Sequence, residues 1–134
     1  MISEPAIRFR PVPPSTEPPP LREVAGIRSR LQQAMWVNAG LLRDAQGLSA
    51  ARDEVRAIES ENPMGLTRPL VELWNLQAVA KLVVRSALAR KESRGAHYRN
   101  DFPQRDNTQF QKHSVVSKGN ELAFVEFQQS QVMV

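Results

Sequence analysis

The chain has 134 residues, 41% of them hydrophobic, with 18 Lys and Arg against 14 Asp and Glu and no cysteine. That length suits one domain able to bury roughly two thirds of the surface its unfolded chain exposes, and the absence of thiols excludes disulfides, thiolate metal centres and cysteine nucleophiles. The net charge of +4 is unevenly placed: residues 81–118 carry nine Lys and Arg against three acids, so the remainder sums to −2, and a local basic face can meet nucleic acid, an anionic surface or an acidic protein.

Seven of the ten prolines fall in the first twenty residues, including Pro11, Pro13, Pro14 and Pro18 to Pro20. Proline fixes φ and removes an amide donor, so residues 1–20 read as an extended arm or linker. A disordered leader is the simpler reading, although Ile7, Phe9 and Val12 offer alternate apolar contacts to another domain. The first five residues lack the basic start and apolar run of a signal peptide. Residues 70–89 are the longest apolar stretch, but Glu72, Asn75, Gln77, Lys81 and Arg85 interrupt them, at a high cost in a bilayer. A soluble, cytoplasmic protein is expected, with residues 21–134 as its folded domain.

Val24, Ile27, Leu31, Met35 and Leu42 recur at steps close to three and four, which predicts a first helix over residues 21–42, with Gly40 either inside it or marking a break. Leu48, Ala51, Val55 and Ile58 repeat the pattern in a shorter second helix with a solvated face at Arg52, Asp53, Glu54, Arg56 and Glu59. Asn62-Pro63-Met64-Gly65 reads as a turn, and Thr67 with Pro69 forms the start signal of a third helix over residues 68–91. That helix is apolar around most of its circumference, from Leu70 and Leu73 through Leu76, Val79, Leu82 and Val83 to Leu88, and is therefore expected to be the buried centre of the bundle. Trp36 and Trp74 are expected as core anchors.

Residues 92–103 pack charge, two aromatics and one of the two histidines against the end of the third helix. Arg94 and Arg99 carry planar donor forks suited to carboxylate or phosphate, and Gly95 permits a backbone angle that other residues resist. The plain reading is a turn that stops the helix, its charges solvated. Farther on, Ser114-Val115-Val116 and residues 122–127 flank a Gly119-Asn120 turn and predict a β-hairpin, its second strand apolar on both sides and so covered. The predicted fold is mainly α: a three-helix bundle with a proline-rich N-terminal arm and a short C-terminal β-hairpin.

Little catalytic chemistry is supported. The glycines at 26, 40, 47, 65, 95 and 119 give no dinucleotide-binding fingerprint. His97 and His113 with Asp101 and Asp106 are metal-ligating types without a recognised spacing, and no nucleophile elbow surrounds Ser93. Tyr98, Phe102 and Phe110 among basic residues allow a nucleic-acid face, unsupported by any recognised binding module.

The residue order carries more. Glu92-Ser93-Arg94-Gly95-Ala96-His97, followed by Tyr98-Arg99-Asn100-Asp101-Phe102-Pro103 and by Phe110-Gln111-Lys112-His113, resembles the C-terminal domain of the succinate dehydrogenase, fumarate reductase and L-aspartate oxidase flavoproteins. Leu31-Gln32-Gln33-Ala34-Met35-Trp36 and Ala39-Gly40-Leu41-Leu42-Arg43 add weaker similarity, so that most of residues 21–118 is covered. The resemblance implies a three-helix bundle packed on FAD-binding and capping domains, which hold the flavin fingerprint and the substrate-binding residues. No catalytic, cofactor or metal residue is therefore assigned here, and FAD would belong to the complete enzyme without being bound by this chain alone. Pro69-Leu70-Val71-Glu72-Leu73-Trp74-Asn75, leading into Ala89-Arg90-Lys91-Glu92, looks like the L-aspartate oxidase branch, whose reaction takes L-aspartate to iminoaspartate for NAD biosynthesis. On that reading the chain is a scaffold whose partners are the FAD-binding and capping domains, docked through Arg94, Gly95, His97 and Arg99. The succinate dehydrogenase and fumarate reductase branch is the alternative, and a free-standing basic helical nucleic-acid-binding protein is the rival from another class.

Overall fold

The computed structural model describes residues 17–119 and 121–126. Most of the proline-rich arm, residues 1–16, lies outside the described residues. Helix α1 spans Leu21–Ala39 behind Pro20, whose φ of −54° and ψ of 132° are extended. It stops at Gly40, whose φ of −73° and ψ of −133° would bring a Cβ to 2.4 Å from the Trp36 carbonyl oxygen, so the chain turns in a conformation that only glycine fits. The helix is thus three residues shorter than its apolar spacing suggests, and Leu42–Arg43 form a short strand, β1. Asp44 then caps α2, Ala45–Ser60, by accepting from the Gly47 amide at 2.7 Å. Thr67 caps α3, Arg68–Ala89, by accepting from the Leu70 amide at 3.4 Å, and Pro69 stands in the first turn, where no amide is needed.

Each long helix packs against the other two. One end of the core joins Val24, Ile27 and Leu31 of α1 to Val55 and Ile58 of α2 and to Leu70, Leu73 and Ala80 of α3. The other end joins Ala39, Leu48, Ala51, Val84 and Ala87, and Met35 touches both. Full burial of each Val, Leu and Ile side chain stabilises the fold by about 1.5–3 kcal/mol, and of each alanine by less. Gln77, only 2% exposed, faces this core from α3. It is accommodated by a reciprocal amide pair with Asn62, at 2.8 and 2.7 Å, which also fixes the loop after α2.

Two expectations are corrected here. Helix α3 is not buried all round: Leu70, Leu73, Gln77, Ala80, Val84 and Ala87 form its buried face, while Leu76, Val79, Leu82 and Val83 are exposed. Trp36 is no core anchor, being 75% exposed, because it lies one residue off the buried face marked by Leu31 and Met35. Trp74 does pack against the core, half-buried.

After α3 the chain makes a second short strand, β2, Tyr98–Arg99, which pairs in parallel with β1 in the register Leu42 to Tyr98 and Arg43 to Arg99. A four-residue helical turn, α4, Asn107–Phe110, is capped by Asp106. Strands β3, His113–Val115, and β4, Ala123–Val125, form the expected antiparallel hairpin, with Gly119 at a φ of +79° in its turn. Phe124 packs edge-on against Phe110 at 5.0 Å, but Ala123 and Val125 are exposed. The second strand is therefore covered on one face only, contrary to its apolar composition. Among the described residues no helix is long and apolar enough to cross a membrane.

Candidate functional site

The basic segment after α3 folds into a junction in which each arginine meets a helix end, a carboxylate or both. Arg99 is 1% exposed. Its Nη1 donates to the Ala87 carbonyl at 2.8 Å, satisfying an acceptor left open at the C-terminus of α3. Its Nε and Nη2 donate in parallel to the two Asp101 oxygens, both at 2.7 Å. Asp101 accepts in turn from the Ala45 amide at 3.0 Å, at the N-terminus of α2. One arginine–carboxylate pair thus ties the negative end of one helix to the positive end of another. The Arg99 fork and then the Ala45 amide hold the Asp101 carboxyl at about 2, against the lesser opposing effect of burial.

Glu92 is the second hub, with no exposed surface. It accepts from Arg90 at 2.6 Å, from Arg94 at 2.8 and 3.0 Å, and from the Asp106 amide at 2.9 Å. Burial pushes its carboxyl up, but the bonds from Arg94, the Asp106 amide and Arg90 outweigh that and bring it down to about 2. Arg90 continues to the Phe110 and Lys112 carbonyls at 2.7 and 2.6 Å and lies over the Phe124 ring at 5.1 Å, fastening the hairpin to α3. Ser93 completes the turn, accepting from the Arg99 amide at 2.8 Å and donating to the Phe102 carbonyl at 2.8 Å.

On the α1 side, Arg43 Nε donates to the Ala39 and Gly40 carbonyls at 3.0 and 2.8 Å. Its Nη1 lies 3.0 Å from His97 Nδ1, and His97 Nε2 lies 3.1 Å from the Arg90 carbonyl. A guanidinium only donates and a carbonyl only accepts, so His97 is the neutral tautomer with its proton on Nε2. Burial, together with the nearby Arg43, Arg99 and Arg90 charges, lowers its pKa against the smaller opposing effect of the Arg90 carbonyl.

Of the four residues proposed for docking, three have internal tasks. Arg99 does not present its fork outward, because burial beneath α3 commits it to Asp101 and the helix end. Gly95 supplies the turn at a φ of +59°, with nothing within 4 Å of where a Cβ would stand. His97 is half-buried between Arg43 and Arg90. Arg94 is intermediate in exposure, with its side chain 30% exposed, and is also bonded to Asn107 at 2.7 Å. Sequence reasoning missed Glu92, Asp101 and Arg43 as the groups that organise the motif. A single acid inside the run Arg90-Lys91-Glu92-Ser93-Arg94 was the available signal for the first. Among the described residues no three His, Asp or Glu side chains converge as a metal site, and His97 and His113 make no such cluster.

Next to this junction runs the outward face of α3. Leu76, Val79, Leu82 and Val83 fall at helical spacing along it, and Val79 is 57% exposed. A second apolar area at the end of α1 contains Trp36, Val37, Leu41 and Leu42. Large contiguous exposed apolar patches are uncommon on monomeric proteins and often mark interaction sites.

Residues 66–134 match the family described as fumarate reductase flavoprotein C-term. The chain belongs to this family. Its similar proteins include an L-aspartate oxidase of Rhodospirillum rubrum, 40% identical over 101 residues that make up 74% of this chain and 34% of that protein. An L-aspartate oxidase of Pseudomonas aeruginosa is 41% identical over 78 residues, 54% of this chain and 14% of that protein. A fumarate reductase flavoprotein subunit of Mycobacterium tuberculosis is 36% identical over 107 residues, 71% of this chain and 18% of that protein. The chain thus spans between about a seventh and a third of the length of these relatives.

Flavoprotein membership implies FAD, and the described residues do not fit it. A dinucleotide cradle needs a glycine-rich turn between a strand and a helix N-terminus. The place where a strand runs into a long helix here, β1 into α2, is occupied instead by carboxylates, with Asp44 on the Gly47 amide and Asp101 on the Ala45 amide. Two anions at that helix end would repel a pyrophosphate.

Proposed function

We propose that this chain is the helical C-terminal part of an FAD-dependent L-aspartate-oxidase-type enzyme, acting as a scaffold that braces the flavin-binding and capping parts. Oxidation of L-aspartate to iminoaspartate, on the route to NAD, would then be performed by residues of those other parts, which also hold the FAD. The observation that carries this reading is the exposed aliphatic face of α3, Leu76, Val79, Leu82 and Val83, beside a junction stiffened by the ion pairs of the buried Glu92 and the buried Arg99. An apolar stripe on a rigid support suits a permanent intramolecular interface better than a transient one. Family membership supports the flavoprotein assignment; the choice of the aspartate branch rests on the L-aspartate oxidases among the similar proteins.

The test is complementation in trans. The P. aeruginosa L-aspartate oxidase is truncated to remove the segment matched by this chain, and the chain is added back. The expected result is a complex on gel filtration, firmer flavin retention and restored aspartate-dependent activity. No complex at micromolar concentrations would refute the scaffold role. A second reading, the fumarate reductase branch, is favoured by the M. tuberculosis relative. It predicts the same behaviour with that subunit's flavin-binding part and none with the oxidase.

A further inference from the structure

Arg43 differs from the other arginines of the junction. Arg90 and Arg94 share Glu92, and Arg99 pairs with Asp101, whereas Arg43 forms no ion pair among the described residues. Its Nε holds the end of α1 and its Nη1 holds His97. Nη2 makes no hydrogen bond among the described residues. The ring beside it is neutral and brings no negative charge, and among the side chains that bond to one another here guanidinium groups outnumber carboxylates by four to two. Arg43 is partly buried, and further burial of an unbalanced cation is unfavourable unless an anion arrives with whatever covers it.

Arg43 and His97 line a cleft of about 380 Å³, together with Ser86, Ser114, Leu82 and Val83. Leu82 and Val83 also belong to the exposed face of α3, so the cleft is the foot of that face. The Ser114 hydroxyl accepts from Arg90 Nη2 at 3.0 Å and keeps its own proton to donate. The site therefore offers a free guanidinium nitrogen and hydroxyl donors against an aliphatic wall.

The geometry points to this cleft as the seat of one carboxylate side chain, an Asp or Glu carried by the flavin-binding part of the same enzyme, seated on Arg43 with aliphatic neighbours resting on Leu82 and Val83. This inference rests on the scaffold reading and names the polar contact that fixes the register of an otherwise apolar interface. A carboxylate supplies the missing charge to a planar donor that favours it. The aliphatic wall suits a protein side chain better than a hydrated pyrophosphate.

The experiment uses the full chain and the truncated P. aeruginosa enzyme. Arg43→Gln is expected to weaken the complex about thirty-fold or more, as loss of one partner of a buried charge pair does, while Arg56→Gln, on the exposed side of α2, leaves affinity unchanged. Arg43→Lys is then treated with a carbodiimide, which joins an amine to a carboxylate in contact with it. Mass spectrometry is expected to find position 43 linked to one Asp or Glu of the flavin-binding part. Circular dichroism of each variant separates lost docking from lost folding. Undiminished affinity of Arg43→Gln, with no cross-link at position 43 of Arg43→Lys, overturns this inference and leaves the scaffold reading standing; no complex with the unaltered chain overturns both. Titration of the chain with FAD is the third arm. Saturable binding abolished by Arg43→Gln would assign the cleft to the cofactor and overturn the side-chain carboxylate.

Discussion

Replacing Glu92 by glutamine keeps the shape of the side chain and removes its charge. Its oxygens accept four hydrogen bonds from Arg90, Arg94 and the Asp106 amide, and the amide nitrogen of glutamine would set a donor against donors. The carboxyl stands at about 2 in the folded chain against an ordinary 4.5, a gap corresponding to about 3 kcal/mol. Breaking a buried pair from one side costs a similar amount, which lowers the melting temperature by roughly 10–15 °C in a domain of this size. Because the folded pKa is depressed, the stabilisation is fully present above about 4.5 and is lost as pH falls toward 2. Urea unfolding followed by circular dichroism should therefore show the unaltered chain more stable than Glu92→Gln at pH 7 and pH 5, with the difference closing between pH 4.5 and 2. Equal stability at pH 7, or a difference that persists unchanged at pH 2, would refute the hub role.

His97 acts in a separate window: its pKa is depressed and it is neutral when folded, so stability should fall as pH drops below about 6.5, where the unfolded histidine takes up a proton first. Urea unfolding between pH 7.5 and 5.5 should show that slope, and His97→Gln should flatten it. Gly95 and Gly26 both have open space where a Cβ would stand, but Gly95 has a φ of +59° and Gly26 lies within α1. In thermal unfolding Gly95→Ala should destabilise by about 1–2 kcal/mol, and Gly26→Ala should stabilise by about 0.5–1 kcal/mol. Leu73→Ala, at a fully buried position, should cost about 2–5 kcal/mol, whereas Trp36→Ala should change stability by less than about 1 kcal/mol, both by denaturant titration.

Local signals carried the helices. Thr67 and Pro69 start α3 as their chemistry requires, the apolar steps from Val24 to Leu31 mark the buried face of α1, and Gly119 turns the hairpin. The spacing also held the information that Trp36 lies beside that face, and its size argued against what its position said. The exposure of α3 was not legible, since a helix apolar on every side reads the same whether its second face meets its own core or another domain. The junction was legible as a motif and not as a mechanism. Arg99 to Ala87, Asp101 to Ala45 and Arg43 to His97 are contacts between separate elements, and the β1–β2 pairing is two residues long, too short for any pattern to announce.

The central claim is that the outward face of α3 is an interface with the flavin-binding and capping parts. Val79→Asp combined with Val83→Asp places two charges on that face at positions already exposed, so the isolated chain should keep its helical circular dichroism. The dissociation constant of its complex with the truncated P. aeruginosa oxidase should rise at least about a hundredfold, because both charges would be buried without partners. An unchanged dissociation constant for the doubly substituted, folded chain would contradict the account.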